Sequence, residues 1–109
     1  MDNFLAKKIN EIVENGDVSS ILNLAVSLEG EDKKAEEILA KLIIQKGGAQ
    51  DIYNFAKHVK NAPLVLLAKG MCNSGDSKWT DKFANQFMNM DFEEFVDVFY
   101  DEDFAKEEC

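Results

Sequence analysis

The chain has 109 residues and a formal net charge of −9 at pH 7, and hydrophobic residues make up 46% of it. This length suits one domain that buries roughly two-thirds of its unfolded surface, so we assign residues 1–109 to a single domain. No apolar run approaches the roughly 20 residues of a membrane span and no signal-peptide pattern is present, so we expect no membrane contact and a cytoplasmic location with reduced cysteines.

Helical periodicity and local stop signals predict seven helices. They cover about residues 3–14, 17–30, 32–46, 50–61, 63–73, 77–88 and a last segment from residue 91. Asp17 is a candidate N-cap, Pro63 suits a first helical turn, and Asp91 with Glu94 has the spacing of a capping box. No segment alternates as a half-buried strand does. The predicted fold class is therefore all-α, with about seven helices stacked as helical hairpins in a short α-solenoid or a compact bundle.

A segment pattern occurs three times along the chain, at nearly equal intervals. The aligned positions are Gly16, Gly47 and Gly75; Ala25, Ala56 and Ala84; Ile21, Ile52 and Thr80; and, before the glycines, Val13, Ile44 and Cys72. Stacked hairpins explain such a pattern, because one hairpin cannot cover its own apolar face. We expect the glycines to end helices in the left-handed conformation and the alanines to let helices approach closely. Since Thr80 is polar, we expect Trp79 to take over the packing of the isoleucine position.

The segment from Asp51 to Ala62, DIYNFAKHVKNA, carries the pattern I-Y-x-F-A-x-x-V-x-x-A. It resembles the tandem two-helix repeats, of the HEAT-like kind, found in some bacterial and phage proteins. The full motif is present in this segment alone, and the other two keep its apolar positions. The resemblance implies a short α-solenoid fold and no particular activity.

The charge is concentrated at one end of the chain. Residues 1–90 carry a net charge of −1, whereas residues 91–109 carry nine acids against Lys106 alone, a net charge of −8. Phosphate binding needs a basic surface, so direct binding of nucleic acid is excluded. We expect the partner to be a protein with a basic surface, bound through Asp91, Glu93, Glu94, Asp97, Asp101, Glu102, Asp103 and Trp79.

Three interpretations fit the acidic, Phe-rich segment 91–109. In the first, a closing helix has an inward face formed by Phe92, Phe95, Val96 and Phe99, and its acids only solubilise it. In the second, the same helix also presents its carboxylates as a mimic of nucleic-acid phosphates. In the third, the segment is a detached acidic and aromatic motif that folds in the groove of a partner.

Catalytic, metal-binding and cofactor-binding patterns are missing from the sequence. His58 is the one histidine, and it lies beside the apolar stripe of its helix, where a solvated surface residue is expected. Cys72 occupies an apolar position and is interpreted as a core residue. We therefore predict no enzyme activity, no catalytic residue, no metal and no cofactor.

These observations favour a non-enzymatic protein-binding module, an acidic inhibitor or adaptor that docks on the nucleic-acid-binding surface of its partner. A phage anti-defence protein of the anti-CRISPR kind is the most specific version of this interpretation. The alternative is a structural or immunity-type interaction protein that binds through the concave face of the solenoid. The two differ in salt dependence, because only charge-steered binding weakens steeply with ionic strength.

Overall fold

The computed structural model describes residues 3–101, which form seven α-helices joined by short connections. The helices are α1 (Asn3–Asn15), α2 (Val18–Ser27), α3 (Lys33–Lys46), α4 (Ala49–His58), α5 (Leu64–Asn73), α6 (Ser77–Phe83) and α7 (Phe92–Phe99). A π-helical segment, Ala84–Met88, continues α6, and we call it the π segment. Residues 3–101 contain no strand, so the predicted all-α fold with about seven helices is confirmed.

Aspartates begin four of these helices. In each case the side chain accepts a hydrogen bond from the backbone N–H three residues later, at 2.8 to 3.1 Å. The four caps are Asp17, Asp32, Asp76 and Asp91. Such a cap satisfies a backbone donor that has no partner within the helix, and it contributes about 1 kcal/mol. The caps predicted at Asp17 and Asp91 are confirmed, and the bond from Glu94 N–H to Asp91 is one half of the predicted capping box.

Helix α4 ends three residues earlier than predicted. Val59 is extended, with φ −88° and ψ 121°, and Asn61 is left-handed, with φ 57°. Asparagine tolerates the left-handed region better than most residues because its short polar side chain bonds locally. Pro63 precedes the first residue of α5 as its N-cap, so the predicted role of Pro63 at this helix start is confirmed within one residue.

The centre of the fold is α3, which contacts α2, α4 and α5. Helix α5 in turn contacts α6 and α7, and α4 contacts α6, so the second half of the chain packs around the α4–α5 pair. The described chain measures 42 × 28 × 19 Å along its principal axes. The largest fully buried apolar side chains are Phe55, Phe83, Phe95, Ile21, Leu39, Ile43, Ile52, Leu67 and Met71. They form one continuous core.

Aligned positions of the segment pattern differ in how far they are buried. The three alanines are buried, and so are Ile21, Ile52 and Thr80. The position before the glycines is not uniform: Val13 is 47% exposed, whereas Ile44 and Cys72 are half-buried. Helix α1 buries only Leu5 and Ile9, because it lies at one end of the stack with fewer neighbours to cover it. Burial is thus uniform at two aligned positions and not at the third, and the repeat itself stays a prediction.

The left-handed conformation predicted for the three aligned glycines occurs in one of them. Gly75 has φ 76°, but Gly16 and Gly47 do not have a positive φ, so the prediction was wrong for these two. At both positions the reason for glycine is space. A Cβ at Gly16 would lie 2.7 Å from the Cα of Ile12, and one at Gly47 would lie 2.9 Å from the carbonyl oxygen of Ile43. Glycine is required there because the chain turns back against the helix it has just left.

Serine at Gly47 and serine at Gly48 are expected to have opposite effects on stability. A Cβ at Gly47 would also lie 2.8 Å from the Cβ of Asp51, whose carboxylate accepts from the N–H of Gly48 at 2.8 Å. A Cβ at Gly48, the N-cap of α4, meets nothing within 4 Å. Gly47→Ser should therefore cost about 1–2 kcal/mol, and Gly48→Ser should stabilise by a few tenths. Urea unfolding measures both, and equal effects would contradict this account.

Candidate functional site

Helix α7 is fixed to the domain by its aromatic side. Phe95 and Phe99 are buried, with ring centroids 5.1 Å apart, and Phe95 also packs on Phe83 at 5.7 Å. The helix contacts α5 and the π segment. The third interpretation of the acidic segment, a detached motif, is therefore wrong for residues 91–101, because a buried aromatic stripe holds this helix against the core.

The opposite side of α7 carries three exposed carboxylates, Glu93, Glu94 and Asp97, and we call them the α7 acidic surface. Asp97 follows the two glutamates by four and three residues, so all three lie on one side of the helix. Among the described residues, no lysine lies within ion-pair distance of them. They are thus positioned on a rigid element with their charge directed to solvent.

Two of the predicted acids have contacts within the domain. Asp91 is the N-cap of α7. A carboxylate oxygen of Asp101 lies 3.9 Å from Nζ of Lys69, and its carbonyl oxygen accepts from the Asn73 amide at 3.4 Å. The ion pair is a surface pair and contributes little to stability. Glu102 and Asp103 lie outside the described residues.

Trp79 is half-buried, and it does not fill the isoleucine position as predicted. Thr80 occupies that position itself at 3% exposure, since its hydroxyl finds acceptors in the carbonyl oxygens of Asp76, at 2.6 Å, and Met71, at 3.3 Å. A threonine that is hydrogen-bonded in this way is tolerated in a core. The Trp79 ring instead packs on Tyr53 at 5.3 Å. The prediction that Trp79 takes over the packing of the isoleucine position from Thr80 was wrong.

A cation and a series of rings separate Trp79 from α7. Nζ of Lys82 lies 5.0 Å from the ring centroids of both Trp79 and Tyr53. Ring contacts then lead from Tyr53 through Phe87 and Phe83 before they reach α7. Within residues 3–101, the Trp79 ring contacts Tyr53 and Lys82 but no ring of α7. Trp79 and the α7 acidic surface thus do not form one contact cluster.

The remaining candidate residues, His58 and Cys72, are not brought together with others. His58 is exposed at the end of α4, as predicted. Cys72 is half-buried, and this burial raises the pKa of its thiol to about 11, so the thiol is neutral at physiological pH. Over the described range, no three His, Cys, Asp or Glu side chains lie close enough to share a metal ion.

Sequence reasoning missed a pocket of about 600 Å³ between the α2–α3 and α4–α5 connections. We call it the Glu36 pocket, and its lining residues are Gly30, Lys33, Glu36, Asn61, Ala62, Pro63 and Leu64. Glu36 is 1% exposed, and its Oε1 has no hydrogen-bond partner. The sequence did contain a signal, because Glu36 shares the helical face of Leu39, Ala40 and Ile43, where a charged residue is unexpected.

The chain matches no protein-family model, no curated protein and no solved structure. Among the helices of residues 3–101, none has the length and hydrophobicity that crossing a bilayer requires.

Proposed function

We propose that the chain is a non-enzymatic, cytoplasmic protein-binding module that docks on a basic, nucleic-acid-binding surface of its partner. The α7 acidic surface carries this proposal. Its carboxylates stand on a helix whose position is set by buried aromatic rings, so the backbone that carries them is in place before a partner binds. Pre-organised charges of this kind lose little conformational entropy when a partner binds.

Charge concentration supports the same proposal. Residues 91–109 hold a net charge of −8 out of the total of −9, and the described part of this segment, residues 91–101, carries five acids and no lysine. Negative charge is therefore concentrated around α7. The field of this concentrated charge steers a basic partner toward this end and accelerates association, by tenfold or more at low salt. An inhibitor or adaptor that competes with nucleic acid, of which a phage anti-CRISPR protein is the most specific example, gains from such a field.

Removing the charges of the α7 acidic surface tests the proposal. A triple variant, with Glu93→Gln, Glu94→Gln and Asp97→Asn, leaves the cap at Asp91 and the contacts of Asp101 in place. We expect unchanged helix content by circular dichroism, and about tenfold slower association with the partner at low salt. The partner is first isolated on the immobilised full chain from lysate of the native host and identified by mass spectrometry.

A matched control removes three exposed charges elsewhere, through Glu11→Gln, Glu14→Gln and Glu37→Gln. Stopped-flow association rates over a salt series compare the two variants with the natural chain. The proposal requires that only the α7 variant loses rate and salt dependence. If binding is insensitive to salt and equal in both variants, the alternative holds: a structural or immunity-type module that binds through an apolar face.

A further inference from the structure

We propose that the Glu36 pocket is a binding site for an alkylammonium or alkylguanidinium group, held by the carboxylate of Glu36. The site is separate from the α7 acidic surface in its residues and does not depend on the function proposed for that surface. Its ligand is either a small amine or guanidine, or a lysine or arginine side chain of another protein.

The unpartnered oxygen of Glu36 is the first reason. The backbone N–H of Gly30 acts on the carboxylate and lowers its pKa, but Oε1 has neither a hydrogen-bond partner nor contact with solvent. A buried acceptor without a donor costs folding free energy, so such an atom in a native protein calls for a missing partner. A cation that brings N–H donors would satisfy the hydrogen-bonding capacity and the charge of this oxygen together.

The second reason is how the two connections form the pocket. Glu29, Gly30 and Asn61 all have positive φ, at 53°, 77° and 57°, so both connections turn sharply here. A Cβ at Gly30 would lie 2.7 Å from Nδ2 of Asn61 and 3.3 Å from the carbonyl oxygen of Lys60, so the two connections approach each other closely at this glycine. The result is a concave site with Glu36 among its lining residues.

The third reason is the chemistry of the lining. Ala62, Pro63 and Leu64 offer an apolar wall to an alkyl stem, and Asn61 offers an amide. Asp32 lies close enough to act on the Glu36 carboxyl, and its negative charge also favours a cation. Lys33 has the opposite effect, since it lines the pocket with a positive charge. Because Oε1 is closed to solvent, the ligand reaches it only after a lining side chain shifts.

The test is a titration of the full chain with butylammonium and butylguanidinium ions, followed by ¹⁵N-amide NMR, with neutral butanol as the control probe. We expect saturable shifts at the amides of Gly30, Glu36 and Asn61 with the cations alone. Glu36→Gln keeps an acceptor for Gly30 and removes the charge, so it should weaken binding by about tenfold or more.

A pair of neighbouring lysines provides a test that leaves the buried site untouched. Lys33→Met removes the competing charge and should tighten binding by about threefold. Lys34 is exposed on the same helix turn and is not among the lining residues, so Lys34→Met should leave the affinity unchanged. Equal effects of the two substitutions would overturn the proposal.

Blocked tripeptides, acetyl-Gly-Lys-Gly-amide and acetyl-Gly-Arg-Gly-amide, distinguish the two sources of the ligand. Tighter binding of a peptide than of the butyl ions assigns the site to a protein side chain, and the reverse order assigns it to a small amine or guanidine. Shifts of equal size with butanol would show a merely apolar pocket. Absence of saturable shifts would show a pocket filled by water alone, and either result refutes the cation site.

Discussion

Replacing Phe95 by aspartate should remove most of the folding free energy of the domain. Phe95 is fully buried, and its ring packs between those of Phe83 and Phe99. Truncating a buried phenylalanine costs about 3–5 kcal/mol, and the unpaired carboxylate adds a desolvation penalty. Because domains of this size are stable by only about 5–15 kcal/mol, the variant should be largely unfolded or lack a packed α7 at 25 °C.

Val98→Asp is the matched control, since it adds the same charge to the same helix. Val98 is 58% exposed, so its replacement should change the free energy of unfolding by no more than about 0.5 kcal/mol. Urea unfolding followed by circular dichroism measures both variants. If Phe95→Asp were as stable as Val98→Asp, α7 would not be part of the core, and the α7 acidic surface would lose its rigid support.

Glu36→Gln should stabilise the protein at neutral pH and lose this effect in acid. Burial raises the pKa of Glu36 above its ordinary value of 4.5; the charge of Asp32 acts in the same direction, and the N–H of Gly30 opposes it. The folded state therefore binds the proton more tightly than the unfolded state does. The favourable contribution of Glu36 is complete below pH 4.5, and it is lost as the pH rises through the pKa of the folded state.

Glutamine is neutral at every pH and keeps an acceptor for the Gly30 N–H. At pH 7 the variant should gain about 1–2 kcal/mol, because a neutral amide costs less to bury than an ionised carboxylate. The gain should shrink toward zero below pH 4.5. Urea unfolding at a series of pH values between about 4 and 8 measures it. Glu37→Gln, the exposed neighbour, should change stability by less than about 0.5 kcal/mol throughout. A gain that is independent of pH would mean that the pKa of Glu36 is the same in the folded and unfolded states, which would contradict this account.

At position 36 a neutral side chain favours stability, whereas a carboxylate favours the binding of a cation. A glutamine at this position would give a more stable domain, yet the chain has a buried carboxylate with an open acceptor. Groups that lower stability are often tolerated where they serve a binding site. A cationic ligand in the Glu36 pocket would stabilise the folded state and so offset the folding free energy that the buried carboxylate costs, because ligands stabilise the state that they bind.

The all-α class and most helix starts could be predicted from the sequence, because they depend on neighbouring residues. The caps at Asp17 and Asp91 need only a backbone N–H three residues away, and Pro63 restricts its own φ. Helical spacing alone predicts the burial of Phe95 and Phe99 in α7, whereas the inward position predicted for Phe92 was wrong, since Phe92 is 36% exposed at the start of the helix. The acidic character of the segment 91–109 is likewise a property of composition, and the structure adds that Glu93, Glu94 and Asp97 face solvent.

The tertiary structure decided the features that depend on residues far apart in the chain. Thr80 is buried because a carbonyl of α5 accepts its hydroxyl, and Val13 is exposed because α1 lies at the end of the stack. The Glu36 pocket needs the α2–α3 and α4–α5 connections, which are distant in sequence, to meet at Gly30. Periodicity places a side chain on a face of its helix, but burial, hydrogen-bond partners and cavities depend on which element packs against that face. Which element packs against a given face depends on the contacts of the whole domain.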